Sequence, residues 1–377
     1  MIVHVYSGNL FGGIEANLLA LATADRTRPD GRSPSHVIAL SFDGTLAERL
    51  RNLDAKPYIL GPVRFRYPWT TWQARRRLAA LLSGADVDGV VAHGSWAYKL
   101  TEPVARRAGV PLAFWNHDPF RGQGPLEGYV VARPPDLVIA NSRYTAAALE
   151  KALGRQVDAV IHPVSQHRTV VDPESARSTI RFEFGTPADA VVILLFSRFE
   201  RLKGHSVLLE ALAKLADLTQ WRCWLVGGIQ KPDEIAYVSQ LKSLAESAGI
   251  SDRVRFVGHR DDIPALLAAA DIHCQPNIGP DSFGLTYVEA LAAGLPSVGS
   301  DLGGVPEILT PDCGRLVPPG DAEALAETLR ELVADKELRI DLGAHGPQRA
   351  RSLCDPLLAL EHLESTFEAF RSGRGSK

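Results

Sequence analysis

Short apolar runs alternate with amphipathic stretches along the whole chain. In the first half, Ile2–Tyr6, Val37–Ser41, Tyr58–Leu60, Gly89–His93, Leu112–Trp115, Leu137–Ala140 and Ala159–Ile161 read as strands. Helical periodicity falls between them at Ile14–Ala24, Trp72–Ser83, Tyr98–Ala108 and Tyr144–Leu153. Strand runs resume at Val191–Phe196, Trp221–Val226, Val254–Val257, Ile272–Gln275 and Ser297–Gly299. This alternation predicts parallel sheets with helices on both faces, whose ligands bind at the carboxyl ends of the strands. The stretch Ser165–Pro187 is polar and charged, shows no clear apolar period, and reads as an interdomain connection. At 377 residues the chain is long enough for two domains with separate cores. The expected class is α/β: two doubly wound, Rossmann-like domains over 1–165 and 166–356.

Composition narrows the functions open to such a chain. A net charge of −3 gives no support to nucleic-acid binding as a global property. Cys223, Cys274, Cys313 and Cys354 show no paired spacing, which argues against disulfides or zinc and fits a reducing compartment. No stretch approaches the run of about 20 apolar residues that a membrane span needs. The expectation is a cytoplasmic protein, with peripheral contact at the inner face of a membrane left open.

The candidate chemistry centres on Asp281-Ser-Phe-Gly-Leu-Thr-Tyr-Val-Glu289, which joins a strand, a turn and a helix. Gly279 and Pro280 mark the turn, and the helix is expected from about Gly284 to Ala293, stopped by Gly294. Its first turn offers unpaired N–H groups and a positive dipole end, which suit a phosphate. Asp281 and Glu289 supply acceptors for sugar hydroxyls and a ribose diol, though an N-cap-region acid and a solvated helix acid explain them equally well. Arg198 and Lys203 follow the strand Val191–Phe196; a guanidinium forks onto two phosphate oxygens, and an ammonium acts as a point charge. Gly12 and Gly13 let the backbone approach a ligand before the helix at Ile14. Neither the dinucleotide glycine fingerprint nor the phosphate-loop motif is present. Asp86-Val87-Asp88 lies at the start of a strand, the wrong end for a metal site in a parallel sheet.

The order of these pieces resembles retaining glycosyltransferases of family 4, which have the GT-B fold. The resemblance rests on Gly12-Gly13-Ile14-Glu15, His117-Asp118, Arg198 with Lys203-Gly204, the acids around Phe283-Gly284, and Gly303-Gly304-Val305-Pro306-Glu307. Asp281 stands where the family usually has Glu. The resemblance implies two domains facing each other across a cleft, with a C-terminal helix over Leu357–Phe370 crossing back onto the first. It implies that Gly12, Gly13, Arg198 and Lys203 hold a diphosphate, with Glu289 on the ribose. Asp281, Phe283, Gly284 and His117 would hold the sugar, Ser282 and Leu285 would join the donor site, and Gly258, His259 and Arg260 would meet the base. No cofactor and no metal are expected, because cations already occupy the diphosphate site.

The activity implied is retaining, metal-independent transfer of a sugar from a nucleoside-diphosphate sugar, UDP first and GDP next, to an acceptor hydroxyl. A glycan, a lipid-linked sugar or a small molecule would carry that hydroxyl. A nucleotide-sugar 2-epimerase of similar fold and a non-catalytic nucleotide-sugar-binding subunit are the alternatives. On the acceptor side stand His93 and the segment Arg64-Phe65-Arg66-Tyr67-Pro68-Trp69 leading into Trp72 and Arg75-Arg76-Arg77. Basic residues mixed with aromatics suit an anionic lipid surface. Aromatics packed inward beneath a solvated arginine face give the same pattern.

Overall fold

In a computed structural model, residues 1–9, 12–84, 86–164, 170–229 and 231–374 are described. The chain divides into two compact units, Met1–Gln166 with Cys354–Lys377, and His167–Leu353. The expected boundary at 165/166 and the last residues of the polar tail lie outside the described residues.

The first unit runs β1 Ile2–Tyr6, α1 Gly13–Arg26, β2 His36–Leu40, α2 Thr45–Asn52, β3 Tyr58–Ile59, α3 Pro68–Ser83, β4 Gly89–His93, α4 Gly94–Ala108, β5 Leu112–Asn116, α5 Gly124–Ala132, β6 Leu137–Ala140, α6 Arg143–Leu153 and β7 Ala159–Val160. Its seven strands lie in the order β3-β2-β1-β4-β5-β6-β7, all pairs parallel. The second unit runs α7 Pro173–Glu183, β8 Val191–Phe196, α8 His205–Ala213, β9 Trp221–Val226, α9 Pro232–Ser247, β10 Val254–Gly258, α10 Ile263–Ala269, β11 Ile272–Gln275, α11 Leu285–Ala292, β12 Ser297–Ser300, β13 Gly314–Val317, α12 Ala322–Ala334 and α13 Lys336–Cys354. Its six strands lie in the order β10-β9-β8-β11-β12-β13, again all parallel. The α/β expectation therefore holds in both halves.

The reasons are local. β8, Val-Val-Ile-Leu-Leu-Phe, is buried at every position, as a strand covered on both faces must be. Helices α6, α7 and α12 begin at side-chain caps: Ser142 accepts from the Thr145 amide, Asp172 from Ser175, and Asp321 from Glu323 and Ala324. Gly109 and Gly154 end α4 and α6 in the left-handed region.

One expectation is corrected. The polar stretch 165–187 is not simply a connection, because α7 occupies Pro173–Glu183 and belongs to the second unit. Two of its arginines do structural work that charge alone does not announce. Arg177 and Arg181 each hold the Asp271 carboxylate at 2.6 Å. Arg181 is buried and also donates to the carbonyls of Ala188, Ala190 and Ala269.

The last helix, α14 Pro356–Arg374, packs in the first unit. Leu360, Leu363 and Phe367 are buried with Ile2, Val91 and Trp115, and Phe367 lies directly over Gly89, where any Cβ would strike its ring. Phe367→Ala should lower stability to urea unfolding by about 3–5 kcal/mol, the cost of emptying an aromatic site. Leu358→Ala, on an exposed position of the same helix, should stay within about 0.5 kcal/mol of wild type.

Candidate active site

In each sheet the connections reverse direction at one place, between β8 and β11 and between β1 and β4. Loops leaving the carboxyl ends of such strand pairs diverge and leave room for a ligand. The sequence-expected residues Arg198, Lys203 and Asp281–Leu285 leave β8 and β11, while Gly12, Gly13 and His93 leave β1 and β4.

In the second unit two of these loops are joined backbone to backbone. The amides of Ile278 and Gly279 donate to the Leu202 carbonyl at 2.9 and 3.3 Å. Gly204, at φ 75°, fits against the Pro276 carbonyl with no room for a side chain. This junction brings Lys203 Nζ to 2.6 Å from the Asp281 carboxylate, with Asn277 Nδ2 at 3.5 Å. Arg198 is half exposed and pairs with Glu200 at 2.8 Å.

A second backbone contact fixes Asp281 from the other side. The Gly304 amide donates to the Asp281 carbonyl at 3.0 Å. A Cβ on Gly304 would lie 2.7 Å from Phe283 Cα and 2.8 Å from the Ser282 carbonyl oxygen. The Gly-Gly-x-Pro-Glu turn is thus a wedge that seats the acidic turn. Gly284, at φ 118°, then leads into α11, whose N-terminus is the positive end of a helix dipole. Tyr287 and Thr286 tie that turn back to β11, donating to the backbone carbonyl and the side chain of Gln275.

The remaining donor-side residues are spread more widely. Phe283 is buried, so it contributes packing and backbone, while Ser282, Leu285 and Glu289 are half-buried. Beyond β10, Gly258 takes φ 86° and His259 is exposed, 3.6 Å from Asp261. Arg260 is committed to its own unit, bridging Glu183 and Asp262 at 2.6 Å each. Those two carboxylates push its pKa up.

In the first unit the Gly12 amide donates to Glu15 Oε2 at 3.0 Å, so the motif glutamate holds the glycine turn in place. Glu15 is buried, which raises its pKa. His93 ends β4, and its Nδ1 lies 2.8 Å from His117 Nε2 in the loop after β5. Asn141 fixes the His117 carbonyl at 3.0 Å and is itself held by Thr145 at 2.6 Å. Burial pushes the His117 pKa down to about 3, so its ring is neutral and acts as a hydrogen-bonding group.

The basic segment runs from the loop before α3 into α3, with α4 beside it. Trp69 and Trp72 are 60% and 59% exposed, so these two do not pack inward. Arg66 sits over Tyr67 and Arg76 over Trp72. Arg64, by contrast, has its backbone tied to Thr70. A groove of about 740 Å³ is lined by Phe65, Trp72, Arg75, Arg76, Lys99 and Arg107 among others. Arg75 donates to the carbonyls of Lys99 and Leu100, and Lys99 Nζ lies over the Phe65 and Tyr129 rings, so Arg76 and Arg107 are the exposed cations of the groove.

Two acidic groups invite comparison with metal sites. Asp88, of the Asp-x-Asp pair, is held by the Met1 amino group at 2.5 Å and by Arg371. Asp25, His36 and Glu364 have ligand atoms within 4.8 Å of one another, but Arg28 bonds both carboxylates. His4, His36 and Glu364, which line up behind His93, carry no motif; strand register reveals the two histidines, and the packing of α14 the glutamate.

Residues 12–164 match the family model described as Glycosyltransferase Family 4, and residues 176–349 match that described as Glycosyl transferases group 1. Over 171 residues the chain is 38% identical to phosphatidyl-myo-inositol mannosyltransferase of Mycobacterium leprae, covering 44% of each chain. Over 194 residues it is 30% identical to N-acetyl-alpha-D-glucosaminyl L-malate synthase of Bacillus anthracis, covering 51% of this chain and 45% of that one. The chain thus spans under half the length of these relatives. The crystal structure of Anabaena Alr3699/HepE in complex with UDP and glucose superposes with a TM-score of 0.81 at 24% identity, covering 97% of this chain and 99% of that one. Its strand orders, its two sheets and the two matched models together place the chain among the family 4, group 1 glycosyltransferases of GT-B fold.

Proposed function

We propose that the chain transfers a sugar, with retention, from a nucleoside-diphosphate sugar to an acceptor hydroxyl without a metal ion. The observation that carries this reading is the Lys203–Asp281 pair at 2.6 Å, set at the switch point of β8 and β11 beside the start of α11. A leaving diphosphate gains negative charge as its bond to the sugar breaks, and preorganised cations and helix amides stabilise that charge. Lys203, Arg198 and the first turn of α11 are assigned to the diphosphate. Asp281 is assigned to the sugar hydroxyls, Glu289 to the ribose and His117 to a sugar hydroxyl. Front-side attack, with the departing phosphate taking the acceptor proton, is favoured because the motifs contain no clear paired nucleophile and acid. UDP is the favoured carrier, supported by its presence in the Anabaena HepE complex.

The acceptor is proposed to be a lipid-linked or glycan hydroxyl met at an anionic surface. Exposed Trp69 and Trp72 on α3, with Arg76 and Arg107 lining the groove at Trp72, support this, as does the phosphatidyl-inositol substrate in the name of the Mycobacterium leprae relative. Among the described residues no helix is long and apolar enough to cross a membrane, so contact would be peripheral.

Calorimetry with UDP and GDP tests the donor site. Arg198→Ala and Lys203→Ala should each weaken binding by about 1.5–3 kcal/mol, the range of a charge-assisted bond. Asp281→Asn should lower turnover roughly 10²-fold while leaving affinity for the free nucleoside diphosphate nearly unchanged. Turnover should also persist in excess chelator. Wild-type affinity in both cation variants would remove the diphosphate from this site, and loss of turnover with chelator would restore a metal to the mechanism.

Vesicle sedimentation tests the surface. Arg76→Gln with Arg107→Gln should reduce binding to anionic vesicles by roughly thirtyfold, given about 1 kcal/mol per cation near the membrane. Equal binding by wild type and variant would return these arginines to a solvated helix face.

A further inference from the structure

His117 is the end of a line of four histidines, one on or beside each of four neighbouring strands. His117 Nε2 lies 2.8 Å from His93 Nδ1, His93 Nε2 lies 2.9 Å from His4 Nδ1, and His4 Nε2 lies 2.9 Å from His36 Nδ1. His36 Nε2 then lies 3.0 Å from the Glu364 carboxylate on α14. The spacing follows from sheet geometry. Trp115 is the cross-strand partner of His93, Val91 of His4, and Ile2 of His36. Each histidine therefore lies two residues beyond the partner of the next one. A step of two keeps every ring on one face of the sheet, so the line crosses β5, β4, β1 and β2 diagonally.

The bonds in this line have a direction. A neutral imidazole has one donor nitrogen and one acceptor nitrogen, so fixing one end of a chain fixes every ring. The Glu364 end is an acceptor. Hydrogen bonds from His36 and, against the cost of burial, from Arg28 hold its carboxyl at about 2, so it stays ionised. A singly protonated His36 gives its Nε2 proton to Glu364 and accepts from His4 at Nδ1. The same step repeats at His4 and His93. Burial pushes the pKa values of His4, His93 and His117 down, and keeps these rings neutral.

We propose that Glu364, acting through His36, His4 and His93, fixes the tautomer of His117 so that it presents an unprotonated Nδ1 to its ligand. Among the described residues that nitrogen has no hydrogen-bond partner. It therefore accepts, and the ligand group it recognises is a hydroxyl donor rather than an ether, a fluorine or an anion. Glu364, His36, His4 and His93 are positioning residues, since they act through His117. This inference rests on the assignment of His117 to a sugar hydroxyl.

Long-range ¹H–¹⁵N imidazole spectra of the full chain, labelled at histidine, test the tautomers without any ligand. The wild type at neutral pH should show His4, His36, His93 and His117 all protonated at Nε2 and bare at Nδ1. A doubly protonated His36, or a His117 carrying its proton on Nδ1, would overturn the proposal whatever the substrate. Glu364→Leu should mix the tautomers of His36 and His117 and lower turnover on the order of tenfold, as loss of a ring's orienting partner does. Glu364→Asp should restore both. A Glu364→Leu protein whose His117 tautomer is unchanged would also refute the proposal, and if that variant does not fold, the wild-type spectrum alone decides. A separate titration keeps the underlying reading distinct. UDP-sugars should shift His117 Nδ1 and UDP alone should not, and failure there would withdraw the sugar assignment rather than the tautomers.

Discussion

The candidate donor site depends on one constraint: Asp281 is held by backbone packed against backbone, with no side chain in between. On one side the Leu202 carbonyl takes the amides of Ile278 and Gly279, and on the other the Gly304 amide takes the Asp281 carbonyl. The reach of an aspartate is one methylene shorter than that of a glutamate, so the position of its turn decides whether its carboxylate meets Lys203. Gly204, Gly303 and Gly304 permit that position because none has a side chain to push the loops apart. The resulting contact of 2.6 Å joins the loops of β8 and β11, two strands far apart in sequence but adjacent in the sheet.

The first unit solves a different problem, that of polar side chains beneath a covering helix. Buried polar groups are costly unless paired, and each histidine in the line pairs with the next. The line ends at a carboxylate that also receives Arg28, which is paired in turn with Asp25. α14 brings Glu364 to this cluster on the same helix that packs Phe367 over Gly89. A helix that covers the sheet thereby also ends its polar line.

Much of the fold was legible because buried parallel strands are uniformly apolar. β8 and β9 match their expected spans residue for residue, and β1, β4, β6 and β11 do so as well. Elements were missed where the apolar signal is thin. α2 buries only Leu46, Ala47 and Leu50, α5 contains two glycines and a proline, and β13 is Gly-Arg-Leu-Val. α7 was read as a connection because its buried face includes Arg181, whose burial depends on Asp271 far along the chain. Within the site, motif order located Lys203 and Asp281, but their contact follows from strand adjacency that no local pattern encodes. The engagement of Arg260 with Glu183 was hidden for the same reason, as was the alignment of His4, His36 and Glu364 behind His93.

The central claim is that these parts cleave a sugar–phosphate bond with retention. It is tested most directly by following a panel of UDP- and GDP-sugars with the purified chain by ¹H NMR, with a lipid-linked or glycan acceptor present. The account predicts release of the nucleoside diphosphate and a product whose new anomeric linkage has the configuration of the donor. A product of inverted configuration would contradict the retaining mechanism, and a C2 epimer formed without acceptor would replace transfer by epimerisation.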